Sequence, residues 1–218
     1  MSTSPALHSL EVPRTARVAT LGTPNRTNAW WVVLHGYGQL AADFVEPFEA
    51  IASSDRCIVA PEGLSRFYVD GLDEHEEVGA SWMTREARDD EIADYLRFLD
   101  ATIQALADEP PSSVQVLGFS QGAATASRWA LLGDTAVDRL ILWGGAPAQD
   151  LDLAAHAAAL RSMDVMLVAG TRDPYVSPER RGAVHRRLLS HDIPLTIHTF
   201  EGGHRIDSSM LHTITDDQ

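Results

Sequence analysis

The segment Gly118-Phe119-Ser120-Gln121-Gly122 holds a serine whose neighbours could make it a nucleophile. The apolar run Val114-Gln115-Val116-Leu117 leads into it, and the helix-forming stretch Ala123 to Ala130 follows. A strand that feeds a helix through GxSxG forms a sharp, strained turn with the serine hydroxyl exposed above it. Glycine is required on either side because a side chain would collide with backbone in so tight a bend. By composition the pentapeptide arises in roughly one chain in ten or twenty of this length, so its placement between strand and helix carries the inference.

Such a serine needs a base to take its proton and a carboxylate to hold that base in one tautomer. On a strand-turn-helix serine both partners lie downstream, the acid first. Asp173 stands in Gly170-Thr171-Arg172-Asp173-Pro174-Tyr175-Val176, directly after the apolar run Val165 to Ala169. His204 closes Glu201-Gly202-Gly203-His204, directly after Leu195 to Phe200. Asp173 precedes a proline, so its alternative reading is a residue that opens a turn or caps the helix after Pro178. Asp150 and Asp164 are runner-up acids, one well past its strand and the other before one. His185, His191, His198 and His212 compete with His204, but most fall within helical or strand patterns. Charge developing on a carbonyl oxygen also needs donors. His35-Gly36-Tyr37-Gly38 follows the run Trp30 to Leu34, which makes Tyr37 N–H and Gln121 N–H the candidate oxyanion pair. The same HGYG stretch also reads as a plain turn, and His35 reads as a structural side chain bracing it.

The elements that must position these residues alternate along the chain. Apolar runs predict strands over Arg17 to Leu21, Trp30 to Leu34, Arg56 to Ala60, Ser113 to Leu117, Arg139 to Trp143, Val165 to Ala169 and Leu195 to Phe200. Between them, helical patterns cover Ala41 to Ser53, Arg85 to Ala107, Gln121 to Leu132, Leu151 to Leu160, Pro178 to Ser190 and Ser208 to Ile214. This order predicts an α/β fold, a mostly parallel central sheet with helices on both faces. Runs such as Trp31-Val32-Val33-Leu34 lack polar alternation, as strands covered on both faces do. The stretch Pro61 to Thr84 is too long for a bare connection and is expected to be functional.

The 218 residues suffice for one core, so a single domain is expected, with residues 1–13 as a loose arm. The N-terminus lacks the basic start and apolar run of a secretory signal, and no stretch approaches a membrane span, so a soluble, cytoplasmic protein is expected. Cys57 stands alone in a buried-strand setting, where packing is its expected role. A net charge of −14 disfavours nucleic acid, whose phosphates need a basic face. All 17 basic residues are arginine. Two readings of this acidic, lysine-free composition stay open: adaptation to high salt, where dense ions screen self-repulsion, or GC-rich codon usage. No histidines or carboxylates fall at metal-ligand spacings such as HExxH, so no metal or cofactor is expected.

Taken together, Leu34-His35-Gly36-Tyr37-Gly38, Ala60-Pro61-Glu62-Gly63, Leu117 to Ala123, Gly170 to Pro174 and Gly202-Gly203-His204 give the chain a family likeness. It resembles the phospholipase/carboxylesterase branch of the α/β-hydrolases, which includes the acyl-protein thioesterases. The anchors run across most of the chain in family order, which makes the match far more specific than GxSxG alone. The resemblance implies a lidless serine hydrolase acting on a small-molecule carboxylic ester or sometimes a thioester. It implies Ser120, Asp173 and His204 as the triad, with Tyr37 and Gln121 as oxyanion donors. Two departures bear on substrate preference: Gln39 stands where the family often has Asp, and the segment after Pro61 differs. Within that segment Phe67, Tyr68, Trp82 and Met83 are candidates for lining an acyl pocket, with core packing as the alternative for Phe67 and Trp82. The acidic run Asp73-Glu74-His75-Glu76-Glu77 reads as a solvated loop. A lysophospholipase or thioesterase with the same triad is the alternative activity, and a non-catalytic binding module is the alternative of another class. A dienelactone-hydrolase-like enzyme would be expected to show cysteine at position 120.

Overall fold

The computed structural model describes residues 5–70 and 75–216, so Asp73 and Glu74 of the acidic run lie outside the described residues. Seven strands form the main sheet: β1 (Val18–Leu21), β2 (Ala29–Leu34), β3 (Arg56–Pro61), β6 (Ser113–Phe119), β7 (Arg139–Trp143), β8 (Asp164–Gly170) and β9 (Thr196–Phe200). Their order is β1-β3-β2-β6-β7-β8-β9, with β1 antiparallel to β3 and every other neighbouring pair parallel.

Residues along β2 show why the strands carry no polar alternation. Trp30, Val32 and Leu34 point into one core and Trp31 and Val33 into another, all essentially without solvent contact. The first core is closed by α2 (Arg88–Leu106), α3 (Gln121–Leu132), α4 (Ala157–Ser162) and α5 (Pro178–Leu189), through residues such as Tyr95, Leu99, Trp129, Leu160 and Leu188. The second is closed by α1 (Ala41–Phe44), the 3-10 helix Glu46–Ile51 and α6 (Ser208–Asp216), through Phe44, Phe48, Leu211 and Ile214. A parallel sheet must be covered in this way on both faces, since its helical crossovers have nowhere else to pack.

Three expectations from sequence are corrected by the structure. The single helix expected over Ala41 to Ser53 is a four-residue α-helix followed by a 3-10 helix, because Pro47 has no N–H to continue the α-helical ladder. The helix expected from Leu151 begins only at Ala157. Its intended first turn is taken over by Asp152, whose Oδ1 accepts the N–H groups of Ala154 and Ala155. The stretch Pro61 to Thr84, which showed no strand pattern, contains an antiparallel pair, β4 (Ser65–Tyr68) and β5 (Val78–Ser81).

Candidate active site

In the main sheet β2 has β3 on one side and β6 on the other, so the chain reverses its direction of travel across the sheet there. Leu34 at the end of β2 lies in register with Gly118 of β6. The crevice beyond the carboxyl ends at such a reversal is where open α/β sheets place ligands. The HGYG loop and the GFSQG turn, distant in sequence, leave the sheet side by side at this point.

Ser120 has φ 55° and ψ −113°, a backbone conformation that L residues rarely adopt. Its main chain is held there by hydrogen bonds from Ser120 N to Trp143 O at 2.9 Å and from Ala123 N to Ser120 O at 3.1 Å. A Cβ on Gly118 would overlap the carbonyl of Gly122, and one on Gly122 would overlap Leu34 O. Both glycines are therefore fixed by close backbone approach, and the turn presents Ser120 half-buried at the end of β6.

The ends of β8 and β9 bring the candidate acid Asp173 and the candidate base His204 together. Thr171 N donates to Phe200 O at 2.8 Å and Arg172 N to Gly202 O at 2.8 Å, which ties the two loops to each other. His204 Nδ1 is 2.8 Å from Asp173 Oδ2. The other oxygen, Asp173 Oδ1, accepts from Tyr175 N at 2.8 Å and Val176 N at 3.2 Å. The Asp173 side chain is buried and cannot rotate without losing these donors. A carboxylate fixed in this way makes Nδ1 the protonated nitrogen of His204 and leaves Nε2 as the basic one. The imidazole lies against Phe119, the residue before the serine, with ring centroids 4.6 Å apart, and Tyr175 meets it edge-on at 4.7 Å.

On the opposite side, the HGYG loop is clamped from several directions. Gly36 N donates to Gln39 Oε1 at 2.9 Å, so the glutamine that departs from the family pattern closes this turn. Gly38 N donates to Ala80 O at 2.9 Å and Ala80 N to Gln39 O at 3.3 Å, which docks the loop along β5. His35 Nδ1 donates to Gly36 O at 2.7 Å while its Nε2 accepts from Gly63 N at 2.9 Å. This neutral tautomer satisfies both partners, and burial pushes the imidazole pKa below the usual histidine value against the upward pull of Gly36 O and Glu62. Tyr37 N–H and Gln121 N–H donate to no group among the described residues.

The side chains nominated around the pocket divide. Trp82 is buried in the core, stacked on His35 at 5.0 Å with its Nε1 donating to His35 O at 2.9 Å. Phe67 is half-buried against Tyr37, at 4.9 Å between centroids. Tyr68 is half-exposed and stacks on His75. Met83 is partly exposed, and its carbonyl accepts from Gln121 Nε2 at 2.9 Å. Asp150 and Asp164 pair with arginines away from His204: Asp150 with Arg88 and Arg128, Asp164 with Arg139.

Sequence reasoning quoted Glu62 within a family anchor but gave no role to its side chain or to that of Gln121. Glu62 is buried at 1 % exposure, accepts from Ala41 N at 3.2 Å and pairs with Arg66 and Arg17. It anchors the backbone next to Gly63, which holds His35. Gln121 Oε1 accepts from Trp82 N at 3.2 Å, so the residue after the serine also fixes the segment 81–83. An acid directly after a buried strand, with Arg66 four residues on, was the available signal for Glu62; its other partners, Ala41 and Arg17, are remote in sequence.

The sheet order, the strained turn at the end of β6 and the loops that follow β8 and β9 define an α/β-hydrolase fold. The sequence profile of the Phospholipase/Carboxylesterase family matches residues 23–217, and the chain belongs to that family of hydrolases. Among solved structures, a carboxylesterase from Mesorhizobium loti superposes with a TM-score of 0.72 at 20% identity, over 93% of this chain and 95% of its own. The Zea mays acyl-protein thioesterase 2 gives 0.71 at 15% identity, over 93% and 97%. Esterase PE8 gives 0.68 at 21% identity, over 94% and 98%. At these identities the likeness speaks to the fold. No curated protein matches the chain by sequence.

Proposed function

We propose that the chain is a serine carboxylesterase working through an acyl-enzyme on Ser120. The hydrogen bond between His204 and the doubly anchored Asp173, set beside the strained Ser120 turn, carries this reading. Ser120 Oγ attacks the ester carbonyl as His204 Nε2 takes its proton, and Asp173 stabilises the imidazolium that results. The Tyr37 and Gln121 N–H groups receive the charge on the carbonyl oxygen. His204 then protonates the departing alkoxide, and water, activated by the same nitrogen, releases the acid. Family membership supports the reaction class.

The test is hydrolysis of p-nitrophenyl esters, with an acyl thioester alongside, by wild type and Ser120→Ala. Turnover should fall by several orders of magnitude, up to about 10⁶, while folding is retained. A fluorophosphonate probe should label the wild type and not the variant. Substantial esterase activity in purified Ser120→Ala, or no labelling of the wild type, overturns the assignment and favours a binding module on the same fold.

A further inference from the structure

A cleft of about 430 Å³ lies beside the serine turn, lined by Arg88, Ala124, Arg128, Pro147 and Asp150 among others. Its size suits a small ligand. Gln121, Ala124 and Arg128 fall at i, i+3 and i+7 on α3, one continuous face of the helix. That face starts at the residue after Ser120 and runs into the cleft, about 10 Å along the axis from Gln121 to Arg128. Met83 flanks it at both ends, with its carbonyl on Gln121 Nε2 and its sulfur 3.5 Å from Arg128 NH1. Across from the helix, Gly145 packs on the turn, where a Cβ would stand 2.6 Å from Ser120 O, and the following residues 146–150 form the other wall.

The charges in the cleft do not balance. Arg128, buried at 5 % exposure, makes a two-point contact with Asp150 at 2.7 and 3.2 Å and donates to Tyr95 Oη at 3.1 Å. Arg88 reaches the same Asp150 at 2.9 Å; its other carboxylate partner, Asp89, is almost fully exposed. Two guanidinium groups thus share one carboxylate in the wall, in a chain whose net charge is −14. Hydrogen bonds from Arg128 and Arg88 hold Asp150 well below the usual carboxylate range.

We propose that this cleft receives the acyl portion of the ester and that Arg88, with Arg128 behind it, selects acyl groups ending in a carboxylate. The proposal rests on the reading of Ser120 as nucleophile. The leaving alcohol must depart beside His204, which is set among Asp173, Phe119 and Tyr175, none of which lines the cleft. Of the surfaces left for the acyl chain, the Gln121-Ala124-Arg128 face, with Met83 beside it, is the one that leads to paired guanidinium groups, whereas Phe67 and Tyr68 offer only aromatic area. The axial distance of about 10 Å between Gln121 and Arg128 suits an acyl group of about five or six carbons.

The test compares mono-p-nitrophenyl glutarate and adipate with p-nitrophenyl pentanoate and hexanoate, and measures binding of free adipate to Ser120→Ala by calorimetry. A KM about 10-fold lower for the charged ester of equal length is expected, since a charge-assisted contact remote from the reacting carbon acts mainly through binding. The charged-to-neutral ratio should collapse toward one in Arg88→Gln, remain in part in Arg88→Lys, and adipate binding to Ser120→Ala should vanish when Arg88→Gln is added. The ratio is read within each variant, so a general loss of activity does not imitate the effect. Hydrolysis through Ser120 with no preference for charge overturns the subsite and leaves the esterase assignment standing. Adipate binding that depends on Arg88, in a wild type that neither hydrolyses esters nor reacts with fluorophosphonate, overturns the esterase assignment and leaves the anion site. A charge preference that survives Arg88→Gln overturns the role of Arg88.

Discussion

Replacing Ser120 by alanine and, separately, by glycine would measure the strain stored at the turn between β6 and α3. Both variants lack the hydroxyl, so their difference isolates the backbone. With φ 55° and ψ −113° at position 120, an alanine Cβ keeps the steric conflict that serine has. Such a conformation costs an L residue about 1–3 kcal/mol. Alanine cannot relax it cheaply, because Ser120 N is held to Trp143 O and Ser120 O to Ala123 N, and the flanking glycines leave no room for the chain to shift. Glycine removes the conflict but loses more freedom on folding, which offsets about 0.5–1 kcal/mol. The balance favours Ser120→Gly over Ser120→Ala by about 1–2 kcal/mol, or about 2–8 °C in Tm for a chain of this size. Differential scanning calorimetry of the two proteins in one buffer provides the measurement. A Ser120→Ala protein that melts at or above Ser120→Gly would show that the turn is unstrained and refute the argument.

Other outcomes follow from the same geometry. Asp100 accepts from Trp129 Nε1, Thr135 N, Thr135 Oγ1 and Asp134 N, so Asp100→Ala, which orphans these donors, should cost about 3–4 kcal/mol, read as a Tm drop of about 6–16 °C. Because burial depresses the His35 pKa, the folded chain keeps this imidazole neutral where the unfolded chain protonates it, so stability falls as pH drops below about 6.5. A Tm-against-pH curve between pH 7 and 5 should therefore be shallower for His35→Gln than for wild type. Asp150 adds a loss that begins below about pH 4, since its depressed pKa stabilises the fold only while the unfolded carboxylate is also ionised. With a net charge of −14 and no lysine, Tm should rise between low and molar KCl as self-repulsion is screened; a flat curve assigns the composition to codon usage instead.

The strands and the order of the candidate groups were legible along the chain because they depend on local signals. An apolar run buried on both faces, a glycine where backbone must pass backbone, and a polar residue just past a strand all announce themselves within a few positions. Trp30 to Leu34, Ser113 to Leu117 and Val165 to Ala169 were bounded within two residues on this basis. Local signals failed where a single side chain outweighs periodicity, as Pro47 and Asp152 did in cutting two expected helices short. They also failed at β4 and β5, short strands whose partners are each other and the HGYG loop.

What tertiary structure alone decided is the setting of the candidate site residues. Asp173 and His204 lie 31 residues apart, and their contact exists because β8 and β9 are parallel neighbours whose ends leave the sheet together. The bracing of His35 by Gly63, the buried Glu62 and the side-chain role of Gln121 likewise join residues 28, 21 and 39 positions apart. The sharing of Asp150 by Arg88 and Arg128 is of the same kind, since α2 and α3 meet only across the sheet face they cover. Sequence determined which chemistry was possible at Ser120, through residue type and order; burial and register, which arise only when remote segments pack, determined how that chemistry is held and what surrounds it.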